Sequence, residues 1–271
     1  MKLPITTVLV LSAALSAPAA PKTLPDGIRA FAEQVPRITA QLQDYVATER
    51  MTQMVMDGRA DRVARKQVLV SDYQIAPLEE DPSVLWEFRF VRSIDGKTVP
   101  GADRQIEDFF RLRHKDAAEE RLSIAQLGVS KSLPGCYWHN LTLVLQAFGG
   151  ANAENFDWKG DGDRYSFEQV RGLGIPEDIF DPQSPRHYPK GSLVFSGGTL
   201  SRVEMEWSSR ELITVVALDF SPAGEAGGLP RPSRYVAKRR LLAGMTQKTL
   251  VETVFEYKDY RHFSVSTEPK V

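Results

Sequence analysis

The fold of this chain is decided by residues 191–221, GSLVFSGGTLSRVEMEWSSRELITVVALDFS, where apolar and polar side chains alternate along short runs. Such alternation turns one side of a run toward a core and the other toward water, which is typical of a half-buried β-strand. Glycine and polar residues separate the runs, as hairpin turns require. The alternation continues toward the C-terminus and predicts an antiparallel meander over Ser192–Phe195, Ser201–Trp207, Glu211–Phe220, Arg234–Leu242 and Leu250–Val265.

A second group of predicted strands precedes this meander. Two Asp-Gly pairs, at 57–58 and 95–96, favour two-residue hairpin turns. In the most regular strand Trp86, Phe88 and Phe90 alternate with Glu87 and Arg89, so the two sets belong to opposite faces. The predicted strands are Val46–Met56, about Val63–Ile75, Val84–Arg92 and Lys97–Val99.

Helical periodicity is found in two regions. Asp26 is a suitable cap for a helix within residues 20–45, whose apolar residues recur at three- and four-residue spacing. Pro36 interrupts this helix, so we expect a kink there, or two short helices with Pro36 opening the second. Residues 101–150 contain three more apolar segments of this kind, beginning near Asp103, Asp116 and Tyr137. We expect these helices to cover the sheet.

The segment Asp157–Asp163 is interpreted as a polar turn, because three aspartates and two glycines lie within it. A calcium-binding loop is the alternative, but its carboxylates do not follow the ligand spacing of such a loop. Tyr165 and Phe167 begin the next predicted strand, and residues 172–189 form a long proline-rich connection.

The N-terminus predicts export. Lys2 precedes the apolar run Ile5–Ala17, and small residues follow, which is typical of a secretory signal peptide with cleavage after Ala19. A membrane span needs about 20 apolar residues, and this run is shorter; a retained N-terminal anchor is the alternative. We therefore expect a periplasmic or extracellular protein without a membrane span after cleavage, with residues 1–19 as signal peptide and 20–271 as a single domain.

Composition argues against several functions. The net charge of −1 does not favour a nucleic-acid partner, which would call for a strongly basic surface. Cys136 is the only cysteine, so the chain forms no internal disulfide. The four histidines are far apart in sequence and lack the spacing of metal ligands, and we predict neither metal nor cofactor. No nucleotide-binding or nucleophile motif occurs, and no catalytic residue is predicted.

Aromatic residues on the strands are the more informative feature. Their neighbours are aliphatic, so they belong either to an ordinary core or to an apolar concavity that helices fill only in part. Such a concavity would hold an acyl chain or a hydrophobic peptide. The candidate lining residues are Trp86, Phe88, Phe90, Trp207, Phe255 and Tyr257.

Two stretches resemble a family of exported bacterial proteins that is well represented in acidobacteria. The first is WEFRFVRSIDGKTV (86–99), followed by Arg104, and the second is VFEYKDYRHFSV (254–265). The meander is also similar to the periplasmic lipoprotein-carrier and sorting proteins. That similarity implies an unclosed antiparallel half-barrel whose apolar inner face binds acyl chains under a cover of helices.

From these patterns we predict an α+β protein with a large curved antiparallel sheet and helices on its concave face. Residues 46–100 form the first β part, 101–150 the helical cover and 155–268 the second β meander. The first hypothesis is a non-enzymatic protein that binds a lipid, lipoprotein or apolar peptide between sheet and helices. The second is a structural or interaction module of the cell envelope with a solid core and a protein partner. The third is a hydrolase whose site, assembled in space, includes His139.

Overall fold

The structure is a computed structural model that describes residues 23–43, 45–57, 62–77, 85–104, 131–133, 145, 147–172, 174–176, 185–209, 212–221, 230–243 and 246–262. One helix, one 3-10 helix and thirteen strands have defined bounds in these ranges. The helices are α1 (Asp26–Gln43) and the 3-10 helix Gly150–Asn155. The strands are β1 (Tyr45–Met56), β2 (Val63–Pro77), β3 (Leu85–Ile94), β4 (Lys97–Thr98), β5 (Phe156–Asp161), β6 (Arg164–Gln169), β7 (Ile175–Pro176), β8 (Arg186–His187), β9 (Lys190–Ser196), β10 (Thr199–Ser208), β11 (Leu212–Ser221), β12 (Arg231–Ala243) and β13 (Thr246–His262).

Eleven of these strands form one antiparallel sheet in the order β4-β3-β2-β1-β13-β12-β11-β10-β9-β6-β5. The predicted meander is confirmed as β9 to β13, and the earlier group of strands as β1 to β4. The two groups join because β1 pairs with β13, with Met51 opposite Phe255. The order ends at β4 on one side and β5 on the other, so the sheet is open.

The turn predicted over Asp157–Asp163 is wrong for most of its length. Residues 156–161 form the edge strand β5, and only 162–163 remain in the turn. The Trp158 ring lies 5.5 Å from Phe167 and 5.8 Å from Phe148, so it packs in an aromatic cluster. Burial of that ring outweighs the turn preference of the aspartates around it.

Helix α1 is continuous over 18 residues and includes Pro36, so the alternative of two short helices is wrong. Proline removes one backbone donor from the helix interior. The helix nevertheless buries one apolar side, and each buried aliphatic or aromatic side chain contributes about 1.5–3 kcal/mol. The apolar members of that side are Ile28, Phe31, Ala32, Val35, Ile38 and Leu42.

Helix α1 lies on one face of the sheet, which we call the helix-bearing face. The Phe31 ring meets Phe195 of β9 edge-on at 5.7 Å. Near the start of the helix, a Cβ at Gly27 would lie 2.7 Å from Tyr165 Oη, so glycine allows a close approach to β6. Further contacts reach β1 and β2. The helix therefore lies across the sheet and contacts strands of both groups.

Most of the helical cover predicted for 101–150 lies outside the described residues, including 105–130 and 134–144. Residues 131–133 are described, and the Leu133 backbone N–H donates to Gln53 Oε1 at 3.0 Å. Gln53 lies on the helix-bearing face, so this short segment also packs there. Of the helices that the structure describes, none is long and apolar enough to cross a membrane.

Candidate functional site

The six aromatic residues predicted from sequence divide between the two faces of the sheet. Phe255 is opposite Met51, and Tyr257 is opposite Glu49, in the pairing of β13 with β1. Trp207 reaches the same helix-bearing face through its pairing with Thr214 of β11. Trp207, Phe255 and Tyr257 are all buried. The structure therefore places three of the predicted residues on one face, with Phe255 and Tyr257 close together on β13 and Trp207 three strands away on β10.

Phe88 and Phe90 lie on the other face, which we call the opposite face. They pair with Gln74 and Asp72 of β2 and are buried there. Trp86 belongs to β3, but its side chain lies outside the described residues. Because successive side chains of a strand alternate, Glu87 and Arg89 are the β3 residues on the helix-bearing face.

Glu87 and Arg89 form a buried ionic cluster with Glu49. Arg89 Nε donates to both Glu49 carboxylate oxygens, at 2.9 and 3.0 Å, and Arg89 Nη2 donates to Glu87 Oε2 at 3.0 Å. Glu49 is fully buried, Arg89 is 5% exposed and Glu87 is 7% exposed. Glu49 is on β1 and Arg89 on β3, so the cluster reaches across the intervening strand β2.

Aromatic rings surround the guanidinium of this cluster. Arg89 Cζ lies 5.0 Å from the centre of the Tyr73 ring and 5.7 Å from that of Phe255. The Tyr73 and Tyr257 rings are 5.1 Å apart. A desolvated cation over aromatic faces gains up to about 2 kcal/mol for each such contact. The rings thus offset part of the cost of burying the charge.

Burial and charge together set the protonation of the cluster. Burial by itself would lower the pKa of Arg89, but Glu49 and Glu87 outweigh it and hold that pKa well above its usual value. Burial raises the pKa of Tyr73 well above its usual value, and the Glu87 carboxylate adds to the effect. Burial likewise raises the pKa of Tyr257, with Glu49 as the next cause. The arginine is therefore charged and both phenols are neutral.

The cluster contains two carboxylates and one guanidinium. Both carboxylates accept hydrogen bonds from the same guanidinium. Buried ionic groups seldom stabilise a fold relative to apolar residues of similar volume, because they lose their hydration. Strongly perturbed groups gathered in one place are more typical of functional sites.

Buried hydroxyls on the helix-bearing face without a hydrogen-bond partner among the described residues include Ser71 Oγ, Tyr73 Oη and Thr253 Oγ1. These three residues are 1%, 3% and 1% exposed. Ser71 is opposite Glu49, and Tyr73 is opposite Arg89, so two of the hydroxyls border the ionic cluster. An unpaired buried hydroxyl costs about 1–3 kcal/mol, and ordered water or a ligand would satisfy it.

The ionic cluster was missed in the sequence because its members lie on two separate runs, β1 and β3, and each alternates with apolar residues. Glu87 and Arg89 form the polar side of the most regular predicted strand. That pattern predicts that their charged side chains are exposed to solvent. A weak signal exists at Glu49, which shares its side of the strand with Ala47 and Met51. A charge within an apolar row indicates a buried partner, but the row does not identify that partner.

The opposite face carries a groove of about 550 Å³ over strands β5, β6, β9, β10 and β11. Apolar side chains of Val215 and Ala217 lie at one end of it, and charged residues line much of the rest. Lys190 Nζ lies 3.6 Å from Glu206 Oε1 across this groove. The charged lining residues are Asp157, Lys159, Glu168, Lys190, Glu204 and Glu206.

A smaller groove of about 260 Å³ continues the first over strands β10 to β13. The two share Glu204, Val215 and Ala217. Together they cross seven neighbouring strands, which corresponds to about 30 Å at the usual strand spacing. This surface can contact an extended partner, whereas the ionic cluster is enclosed.

Among the residues that the structure describes, no group of three or more His, Cys, Asp or Glu side chains is placed to hold a metal ion. His139, which was considered for a hydrolase site, lies outside those residues.

No protein-family model matches the chain, and no curated protein is significantly similar to it. The resemblance to exported bacterial proteins and to lipoprotein carriers stays a prediction.

Proposed function

We propose that this is an exported, non-enzymatic protein that binds a hydrophobic ligand, such as a lipid, a lipoprotein or an apolar peptide, between a half-barrel sheet and the helices on its concave face. The observation that carries the proposal is the pair of unpartnered hydroxyls, on Ser71 and Tyr73, beside a buried ionic cluster on a largely apolar face. An apolar core without a ligand has no need of such polar groups.

The helix-bearing face offers two kinds of contact to one ligand. One row of directly paired residues crosses five strands with apolar and aromatic side chains, all buried: Leu218, Tyr235, Phe255, Met51 and Leu69. The ionic cluster and its hydroxyls border this row through Glu49, which is two residues from Met51. An acyl chain or apolar peptide along the row would thus have its polar end at the cluster.

Helix α1 would have to move for such a ligand to enter, because the face beneath it is filled. Its contacts with the sheet are apolar, as at Phe31 and Phe195. Apolar contacts are non-directional, so the ligand could replace them with contacts of its own at similar free energy. In this proposal the structure is the closed form, and α1 acts as the lid.

Lipid extraction from the purified mature protein tests the proposal. We expect mass spectrometry to find a co-purified lipid, and the neutral apolar dye N-phenylnaphthylamine to compete with that lipid. Phe255→Ala should change dye affinity, whereas Val236→Ala, a truncation on the opposite face, should leave it unchanged. A clean extract together with no dye binding would sink the proposal.

A second candidate is an interaction module of the cell envelope with a solid core and no ligand. The groove across the opposite face favours it, since a rigid sheet would present this groove to a protein partner. A photoreactive residue placed at Ser192 in the groove should then crosslink in cells to one partner. Ala217→Arg should abolish that crosslink and the binding of the purified partner. Absence of any specific crosslink, with lipid in the extract, would exclude this candidate.

A further inference from the structure

We propose that two copies of this chain pair through the outer edges of their β5 strands. The two strands run antiparallel about a two-fold axis at Trp158 and join the two sheets into one. This inference does not rest on the proposed function, because it concerns an edge of the sheet and not the ligand beneath α1.

Strand β5 offers backbone hydrogen-bonding groups at that edge. In the part of the chain that the structure describes, β5 pairs with β6 on one side and with no strand on the other. Asp161 and Arg164 pair across the two-residue turn of this hairpin. At the far end, the Asn155 carbonyl accepts a hydrogen bond from the Val170 N–H at 2.9 Å. Since backbone groups alternate in direction along a strand, those of the odd-numbered residues point to β6, and those of Trp158 point outward. An edge of this kind is a template for another strand.

The charges beside Trp158 are self-complementary. Asp157 and Lys159 flank it on the opposite face, and Lys159 is exposed. With Trp158 on the axis, Asp157 of each copy is opposite Lys159 of the other, which gives two cross-strand ion pairs. Registers centred on Asp157 or on Lys159 place like charges opposite each other and are disfavoured. A carboxylate accepts several hydrogen bonds, so the pairing does not require Asp157 to lack other contacts.

The shape of β5 also favours an axis at Trp158. Gly160 has a positive φ of 112°, so the strand departs from regular extended backbone near the hairpin. A register centred on Gly160 would oppose Lys159 to Asp161, but it would place this departure in the middle of the paired strands. The register centred on Trp158 keeps it at the end.

Trp158 adds an apolar contact on the helix-bearing face. Its ring packs against Phe148, Phe156 and Phe167 at 5.5 to 5.8 Å, yet the side chain is only partly buried. Residues that exchange hydrogen bonds across an antiparallel pair have Cα atoms about 5.5 Å apart, so the two Trp158 side chains meet at the axis. Each ring then shields the exposed part of the other from water.

The contact is short and therefore weak. The Phe156 N–H donates to the Ala153 carbonyl, so Phe156 offers only its own carbonyl to a partner. The two hydrogen bonds between the Trp158 residues are thus the centre of a short ladder. Interfaces below about 1,200 Å² belong to weak or transient complexes. We expect a dimer that dissociates in the micromolar range.

Such a dimer would lengthen the groove on the opposite face. Asp157 and Lys159 line that groove where it reaches β5. In the dimer the grooves of the two copies meet at the axis, and each copy contributes these two residues to the junction. The joined groove would cross twice the seven strands of one copy, about 60 Å at the usual strand spacing.

Sedimentation velocity of the mature protein at increasing concentration tests the inference. We expect a monomer–dimer equilibrium that high salt weakens. Asp157→Lys and Lys159→Asp each place like charges across the axis and should weaken dimerisation at least about tenfold. An equimolar mixture of the two variants should form a heterodimer, because both ion pairs are then restored. Lys66→Asp, the same change at an exposed position of β2, should leave the dissociation constant unchanged.

Carbodiimide crosslinking tests the parent protein without any substitution. A mixture of isotopically labelled and unlabelled protein should yield a crosslink between Asp157 of one copy and Lys159 of the other. A protein that stays monomeric at about 0.5 mM, a mixture of variants without heterodimer, or a crosslink confined to single copies would overturn the inference. None of these experiments uses a lipid or the dye, so their failure leaves the proposed function standing. In the same way, a clean lipid extract leaves the dimer standing.

Discussion

Arg89 on β3 and Glu49 on β1 are joined by two hydrogen bonds of 2.9 and 3.0 Å that pass over the intervening strand β2. The Tyr73 ring of β2 faces the guanidinium, and its centre lies 5.0 Å from Arg89 Cζ. The contact therefore links β1, β2 and β3 on the helix-bearing face, which α1 also covers. Since Glu49 is opposite Tyr257, the same contact adjoins the junction between the two groups of strands.

Replacement of Arg89 should strongly destabilise the fold. Arg89→Met removes the guanidinium that donates to both Glu49 and Glu87, and we expect the free energy of unfolding to fall by about 3–5 kcal/mol. Urea unfolding at neutral pH measures this loss. The triple variant E49M/E87M/R89M should recover most of it, because it removes all three charges. A loss below about 1 kcal/mol in Arg89→Met would show that the carboxylates are not held by the arginine.

Stability should fall in alkaline solution. Burial raises the pKa of Tyr73, Tyr257 and Tyr260 in the folded protein. A tyrosine in the unfolded chain titrates near pH 10. Above that pH the unfolded chain loses phenolic protons that the folded protein keeps. Each of these tyrosines therefore lowers the free energy of unfolding by up to about 1.4 kcal/mol per pH unit, until the pH reaches its pKa in the folded protein.

Unfolding experiments between neutral pH and pH about 11 test this expectation, with tyrosinate absorbance followed in parallel. Tyr257→Phe removes one of the three groups and should make the alkaline slope shallower. Tyr188→Phe is the matched control, because Tyr188 is exposed. A slope that is the same in Tyr257→Phe and in the parent protein would argue against the burial of this phenol.

Gly191 of β9 should not tolerate a side chain. A Cβ at this position would lie 1.9 Å from the Glu204 carbonyl oxygen and 2.9 Å from Phe167 Cζ. Gly191→Ala must therefore separate β9 from β10, and we expect a loss of about 1–3 kcal/mol or more in the free energy of unfolding. Ser192→Ala, the next residue on the same strand, should have little effect. Equal stability of the two variants would contradict the close approach of these strands.

Truncation of Phe31 should release α1 from the sheet. Phe31 is buried against Phe195, so Phe31→Ala should cost about 3–5 kcal/mol, and Phe31→Leu less than about 1.5 kcal/mol. If α1 is the lid, Phe31→Ala should also speed the association of N-phenylnaphthylamine in stopped-flow measurements. An unchanged association rate in a variant that is measurably less stable would argue that the ligand does not enter under α1.

Local patterns predicted most of the described strands because each pattern reports a local physical requirement. Alternation at Arg202–Trp207 corresponds to β10, and the Asp95-Gly96 pair forms a tight turn in which both residues have positive φ. The same local rules failed at Phe156–Asp161. There an aromatic cluster with Phe148, which precedes β5 in the chain, and Phe167, on the next strand β6, overrode the preference of the aspartates for a turn.

The sequence by itself determined the antiparallel strands, the amphipathic helix from Asp26 and the alternation of Glu87 and Arg89 with Phe88 and Phe90. Only the tertiary structure decided which side of that alternation faces α1. Alternation predicts two faces but does not identify the buried one, because which face is buried depends on pairing with strands far away in the chain. That pairing placed Glu49, Arg89 and Tyr257 together, although more than 160 residues separate Arg89 from Tyr257 in the sequence.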